Sequence, residues 1–275
     1  MENRTLNFDN YLFRCSSLGH LLTEPQSKAD KDAGNLSKTT ETYLYDIHKE
    51  VLFKRKSDLK SKFLDKGIQV EEKSITLFSK ANNSKIPFYK NEIHFKNEFI
   101  SGTPDNCKGI VRDFKSSWDY STFPFYDKEI KNKTYIAQLN GYMALTGIND
   151  AELIYCLVDT PEKLINDELR RADWKFNIMD NDGNIRPENI KLVVEIVTNM
   201  IYTSKGLEDY CNSNPAVSLE WFEDFREVPD FLRIKIFKIK RDNELIEKIY
   251  DRVKKARIFL NNLSLQIANE IPINE

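Results

Sequence analysis

Residues 99–115 read FISGTPDNCKGIVRDFK, and their reading decides the fold. The stretch divides into two short extended runs, 99–103 and 110–116, around Asn106-Cys107-Lys108-Gly109. Gly109 tolerates the backbone conformation that a tight turn demands. Alternation in the second run puts Val111, Asp113 and Lys115 on one face and Ile110, Arg112 and Phe114 on the other. A turn centred on Cys107 and Lys108 sets Asp105 across from Val111 and diagonal to Asp113, within reach of one ion. A slip of one residue would separate the two carboxylates. The expectation is a hairpin that presents two carboxylates and an ammonium on one side.

Upstream, 88–95 (FYKNEIHF) alternates as a strand does. Before it, 58–81 reads as a long helix. Leu64, Ile68, Glu71, Ile75 and Phe78 recur at helical spacing and share a stripe. A carboxylate in an apolar stripe needs a cation or a metal, because burying it alone is costly. Glu72 is rotated about 100° from it, and the choice between Glu71 and Glu72 stays open. Residues 11–24 (YLFRCSSLGHLLTE) read as a strand or loop entering a short helix that Ser16 or Ser17 caps. The polar 25–40 reads as a surface loop and 41–55 as a helix.

Downstream, 116–131 is an aromatic-rich loop. The helix expected over 132–146 stops at Gly147 and carries Tyr135, Gln138 and Tyr142 on one face. The apolar run 151–158 fits a buried central strand. Pro161 opens a helix to about 171. Residues 180–184 (DNDGN) form a turn rather than a calcium loop, because the Gly is misplaced and the closing Glu is missing. A helix over 188–211, a strand around Leu232, Ile234 and Ile236, and a final helix over 242–268 complete the chain. The last helix buries Ile246, Ile249, Val253, Ala256, Leu260 and Leu263. Residues 172–187 are the best candidate for a linker.

Composition limits the function. Hydrophobic residues make 40% and charged residues 31% of 275 residues, which suits a soluble globular protein with a sizeable core. No apolar run approaches the roughly 18 residues of a membrane span, and MENRTLNFDN has no signal-peptide core, so a cytoplasmic protein is expected. Cys15, Cys107, Cys156 and Cys211 are scattered and lack CxxC spacing, so free thiols are expected. The net charge of −2 argues against coating nucleic acid and restricts any such contact to a local patch. Residues 49–66 are the richest in base, with Lys49, Lys54, Arg55, Lys56, Lys60, Lys62 and Lys66. A solvated helix face accounts for that segment equally well.

Two carboxylates with water and a phosphate oxygen suit Mg²⁺, for which Mn²⁺ can substitute. Such a cation polarises a phosphate and acidifies its bound water. A lysine two residues after a metal-binding Asp faces the same site and can orient the water or offset developing charge. An isolated D-x-K is common on strands. The combination with an upstream helix carboxylate and a downstream helix amide is far more specific.

Gly67-Ile-Gln-Val-Glu71, Gly102-Thr-Pro-Asp105, Asp113-Phe-Lys115 and Tyr135-Ile-Ala-Gln138-Leu-Asn-Gly-Tyr142 resemble, in order, the motifs of the PD-(D/E)XK nuclease superfamily. The branch resembled is that of the phage-type lambda exonuclease and YqaJ-type viral recombinases, over about residues 10–160. The resemblance implies an α/β restriction-endonuclease-like core, a central mixed sheet flanked by helices, within a single domain that has a helical C-terminal extension from about 161 to 275. It implies a metal-dependent DNA exonuclease, acting 5′→3′ on duplex ends in phage-type recombination in a bacterial host's cytoplasm. Its partners would be DNA, a single-strand annealing protein and further copies of itself. By the same resemblance Glu71, Asp105, Asp113 and the Phe114 carbonyl serve Mg²⁺, Glu71 directly or through water. Lys115 is the catalytic lysine, and Gln138 holds water or phosphate. Arg14, Ser16, Ser17 and Tyr142 grip DNA and its 5′-phosphate; an Arg fork with hydroxyls and helix amides makes an anion site. An endonuclease on the same fold and a non-catalytic DNA-binding module are the alternatives. The cysteine cluster of the CRISPR-associated relatives, which holds iron and sulfur, is missing.

Overall fold

The computed structural model describes residues 5–56, 62–82 and 88–270. The expected helix start at 58 and Lys60 lie outside the described residues. The architecture is α/β, built on two mixed three-stranded sheets. In the first, β3 (Ile100–Gly102) lies between β1 (Phe13–Arg14), which is parallel to it, and β2 (Phe95–Lys96), which is antiparallel. In the second, β5 (Asp150–Cys156) lies between parallel β4 (Val111–Ser116) and antiparallel β6 (Ile234–Lys240).

The expected hairpin over 99–116 does not form. Its two runs belong to different sheets. Edge occupancy explains the choice: Ile100–Gly102 has both edges taken, by β1 and β2, while β4 pairs over six residues with apolar β5, whose Ala151, Leu153 and Ile154 are buried. A single antiparallel bridge, Asn106 with Arg112, remains of the hairpin. Continued by one residue, it sets Asp105 across from Asp113 rather than Val111. That is a shift of two residues, which keeps every side chain on its expected face.

The strand expected over 88–95 is also shorter than its alternation suggests, and only Phe95–Lys96 pairs. Asn97 accepts hydrogen bonds from the Phe99 and Ile100 amides and turns the chain back onto β3. The 25–40 loop contains α2 (Lys28–Asp32) and the start of α3 (Lys38–Phe53), capped by the hydroxyls of Ser27 and Ser37.

Both faces of the β4–β5–β6 sheet are covered. On one, Phe114, Ile154 and Cys156 pack under α4 (Lys62–Ala81) through Val70, Ile75 and Phe78. On the other, Val111, Ala151, Leu153 and Phe237 join a core shared with α1 (Leu18–Leu21), α3, α5 (Lys133–Thr146) and α9 (Asn243–Glu270). Helix α9 buries Ile246, Ile249, Val253, Ala256 and Leu260 as expected, with Leu263 half-buried at the stripe's edge. The α4 stripe differs from expectation. Ile75 and Phe78 are buried as expected, but Leu64 and Ile68 are exposed, and the buried line continues instead through Lys66, Val70, Ser74 and Leu77. Small Ser74 lets the helix lie against β4, where its hydroxyl meets that of Ser116 at 2.9 Å.

Between β5 and β6 the chain builds a second core around Ile165, Leu169, Val193, Val197 and Leu207, from α6 (Glu162–Phe176), α7 (Ile190–Thr198) and α8 (Ser204–Ser213). The long helix expected over 188–211 is therefore two. Asp159 accepts hydrogen bonds from the Tyr202 and Thr203 amides and fixes the break between them. Residues 172–187 are packed rather than linker-like, since Ile178 and Ile185 enter this core. Among the described residues no helix is long and apolar enough to cross a membrane.

Candidate active site

Edge strand β4 carries Asp113 and Lys115 on the face expected of them. Lys115 Nζ lies 2.7 Å from Asp113 Oδ2 and 4.9 Å from the centre of the Tyr135 ring. Gln138, one helical turn after Tyr135 on α5, donates its amide to Asp113 Oδ1 at 2.9 Å and to the Tyr142 hydroxyl at 3.0 Å. Asp105 lies beyond the edge of β4. Its Oδ2 accepts the Phe114 amide at 2.7 Å. That amide leaves β4 on the side away from β5. The Phe114 carbonyl leaves on the same side, since N–H and C=O of one strand residue point the same way. It therefore faces the side on which Asp105 lies.

Two glycines let these elements meet. A Cβ on Gly102 would lie 2.6 Å from the Tyr142 ring, and one on Gly141 would lie 2.9 Å from Cys15 Sγ. The Gly of Gly102-Thr-Pro-Asp105 thus brings β3 against α5, just before the chain reaches Asp105.

The electrostatics would suit a bound cation. Burial first, then the facing Asp113 carboxylate, pushes Asp105 up to about 8, against a smaller opposing effect of the Phe114 amide. Burial also raises Asp113, although Lys115 opposes it. For Lys115 burial works downward, but Asp113 and Asp105 outweigh it and hold the ammonium above the ordinary lysine value. Two buried carboxylates that resist ionising together are relieved by a divalent ion. Among the described residues, Asp113 Oδ2 is buried and meets only the Lys115 ammonium, at 2.7 Å. Two buried carboxylates side by side, Asp105 and Asp113, are a donor set that fits Mg²⁺, which typically takes one or two carboxylates and keeps water and phosphate as its other ligands.

Glu71 stands at the margin of this group. Its charge reaches Asp105 and Asp113 and raises both, whereas Glu72 is exposed. Glu71 is held by Lys90 at 2.6 Å, so among the described residues no three of His, Cys, Asp and Glu converge as a ready-made ligand set. Nothing in the local sequence of Lys90 marked it as that partner. Tyr142 is buried and props Gln138 from within the core. Arg14 and Ser16 are exposed, and the Ser17 side chain does not cap α1. Arg14 and Ser17 share a groove of about 630 Å³ with Tyr11, His20 and Tyr43, with Asp46 and Glu50 also on its walls. Strand β1 sets Arg14 beside Ser101, four residues before Asp105. A cavity of about 820 Å³ lined by Phe123, Tyr202, Trp221 and Phe225 contains neither carboxylate of the pair.

A phage-related exonuclease from Haemophilus somnus 129PT superposes with a TM-score of 0.66 over 94% of this chain and 97% of its own, at 27% identity. This is a phage-exonuclease fold. An alkaline exonuclease from Laribacter hongkongensis shares it, with a TM-score of 0.52 over 95% of this chain and 94% of its own at 11% identity. Its complex with dAMP superposes equally well, at 0.52 over 94% and 92%. No protein-family model and no curated protein matches the sequence. The match runs nearly end to end. It therefore takes in the second core, β6 and α9 along with the motifs that resemble the PD-(D/E)XK nucleases.

Proposed function

We propose that this chain is a metal-dependent deoxyribonuclease, specifically a 5′→3′ exonuclease that resects duplex DNA ends in phage-type recombination. The observation that carries this reading is the convergence of Asp105, Asp113, Lys115 and Gln138 at one edge of the sheet. Asp105, Asp113 and the Phe114 carbonyl would hold Mg²⁺, and Glu71, now paired with Lys90, would be a further ligand directly or through water. The ion supplies charge neutralisation on the phosphate and a more acidic bound water. Lys115, kept protonated by its two carboxylates, donates to the attacking water or to the oxygens that gain charge as the P–O bond breaks. Gln138 fixes the rotamer of Asp113, and Tyr142 fixes Gln138. Arg14, Ser16 and Ser17 supply an anion site for the 5′-phosphate, and the reading places the protein in the cytoplasm with an annealing protein and further copies of itself as partners.

The test is degradation of end-labelled linear duplex against covalently closed circles, with Mg²⁺ or Mn²⁺. Wild type should shorten the linear DNA and leave circles intact, and Lys115→Ala should lose about 10²–10³-fold in rate. Equal degradation by both proteins, or by neither, would sink the reading. Cutting of circles would replace it with an endonuclease. Equal rates on 5′-phosphate and 5′-hydroxyl ends would remove the role given to Arg14, Ser16 and Ser17.

A further inference from the structure

The face of β4 opposite Asp113 and Lys115 carries a buried charge. Arg112 is 8% exposed, Glu152 7% and Asn106 3%. Arg112 and Glu152 are direct partners across the parallel β4–β5 pair, and Glu152 is in turn partnered by Lys238 on β6. Arg112 Nε donates to Glu152 Oε2 at 2.9 Å, and its Nη1 donates to Asn106 Oδ1 at 3.2 Å. The backbones of Asn106 and Arg112 exchange two further hydrogen bonds, at 3.2 and 2.7 Å. Asn106 Nδ2 reaches the Tyr89 carbonyl at 3.1 Å, and the guanidinium lies 4.8 Å from the centre of the Phe88 ring.

Asp105 lies in no strand. What ties its segment to β4 is the Phe114 amide and its neighbour Asn106. We propose that Arg112 is a positioning residue which, by gripping Asn106 and Glu152 with one planar guanidinium, holds Asp105 at the spacing from Asp113 that a divalent cation needs. The proposal rests on the metal-dependent reading above. Only an Arg fork serves both acceptors at once, one on each side of β4. A lysine would keep the charge beside Glu152 but present a single centre. The arrangement belongs to this chain's own residues, with Asn106 directly after the first carboxylate and Arg112 directly before the second.

Calorimetric titration of DNA-free protein with Mn²⁺ tests it, using Arg112→Lys and Asn106→Ala, neither of which leaves Glu152 without a cation. Each should weaken Mn²⁺ affinity about 10–100-fold, the usual effect of losing a support behind a metal ligand. Melting temperatures should stay within a few degrees of wild type. Raising Mn²⁺ to saturation should restore much of the DNA-cleavage rate, since the ligands are intact. Wild-type affinity in both variants would overturn the positioning role alone. Affinity lost only in step with lost folded protein would overturn it too, leaving Arg112 a structural residue. If the wild-type protein binds no Mn²⁺, the metal-dependent reading falls and takes this role with it.

Discussion

Two lysines flank the same sheet and are driven in opposite directions. Lys115 keeps a quarter of its side chain exposed and faces Asp113 and Asp105, which hold its proton more firmly than water does. Lys66, on α4, is fully buried and donates to the Trp118 carbonyl at 2.7 Å. Burial pushes it down to about 7, although Asp119 and Asp159 work the other way. Burial alone weakens an ammonium; carboxylates in contact with it reverse the sign. One lysine stands among the groups a phosphate would meet. The other secures the chain just past β4, where the aromatic loop begins.

The largest difference between them should be in activity. Lys66→Met should stay within a few-fold of wild type in DNA cleavage, against the loss of about 10²–10³-fold expected for Lys115→Ala. Comparable losses in the two variants would break the distinction. Gln138→Ala should lie between them, costing about 10–100-fold through Asp113.

Stability should separate the two sites next. In metal-free protein Asp105 holds its proton up to about pH 8, well above its unfolded value near 3.8, so the folded state binds more protons across that range. Its contribution to stability is therefore full at low pH and is lost as pH rises from about 4 to 8. Asp105→Asn should flatten this fall and stabilise the metal-free protein at pH 8, as read by denaturant unfolding. Lys66 has the opposite slope. Between about 7 and its unfolded value near 10.5 the unfolded chain binds more protons, so stability recovers as pH rises there. Lys66→Met should exceed wild type by about 1–4 kcal/mol at pH 6, with the advantage shrinking toward pH 10. An advantage that does not vary with pH would mean that packing, not charge, distinguishes the site. The smallest effect expected is that of Gly102→Ala. Its new methyl group meets the Tyr142 ring and should cost about 1–3 kcal/mol in stability.

Much of the site was legible because it depends on local repeats. Strand alternation put Asp113 and Lys115 on one face, and helical spacing put Tyr135, Gln138 and Tyr142 on another; the fold brings those two faces together at Asp113. Glu71 was singled out for sitting in an apolar stripe. The structure keeps it near the carboxylates for a different reason, since the stripe's Leu64 and Ile68 are exposed and its partner is Lys90. Lys66 counted only as one more base in a basic segment, and Arg112 only as an alternating polar residue. Nothing within a few residues of either announces a buried carbonyl or an acceptor pair.

The sequence by itself determined which side chains share a strand or helix face and the order in which those faces follow one another, because backbone geometry repeats every 2.0 or 3.6 residues whatever surrounds it. Only the tertiary structure decided that 99–103 and 110–116 part into different sheets, that Asp105 comes to stand opposite Asp113, and that 234–270 returns to complete the sheet and its core. Those outcomes depend on how much apolar surface distant segments bury together. For the stretch 99–115, the run 100–102 has both edges taken by β1 and β2, and β4 pairs instead with a buried strand 40 residues on, Val111 with Ala151.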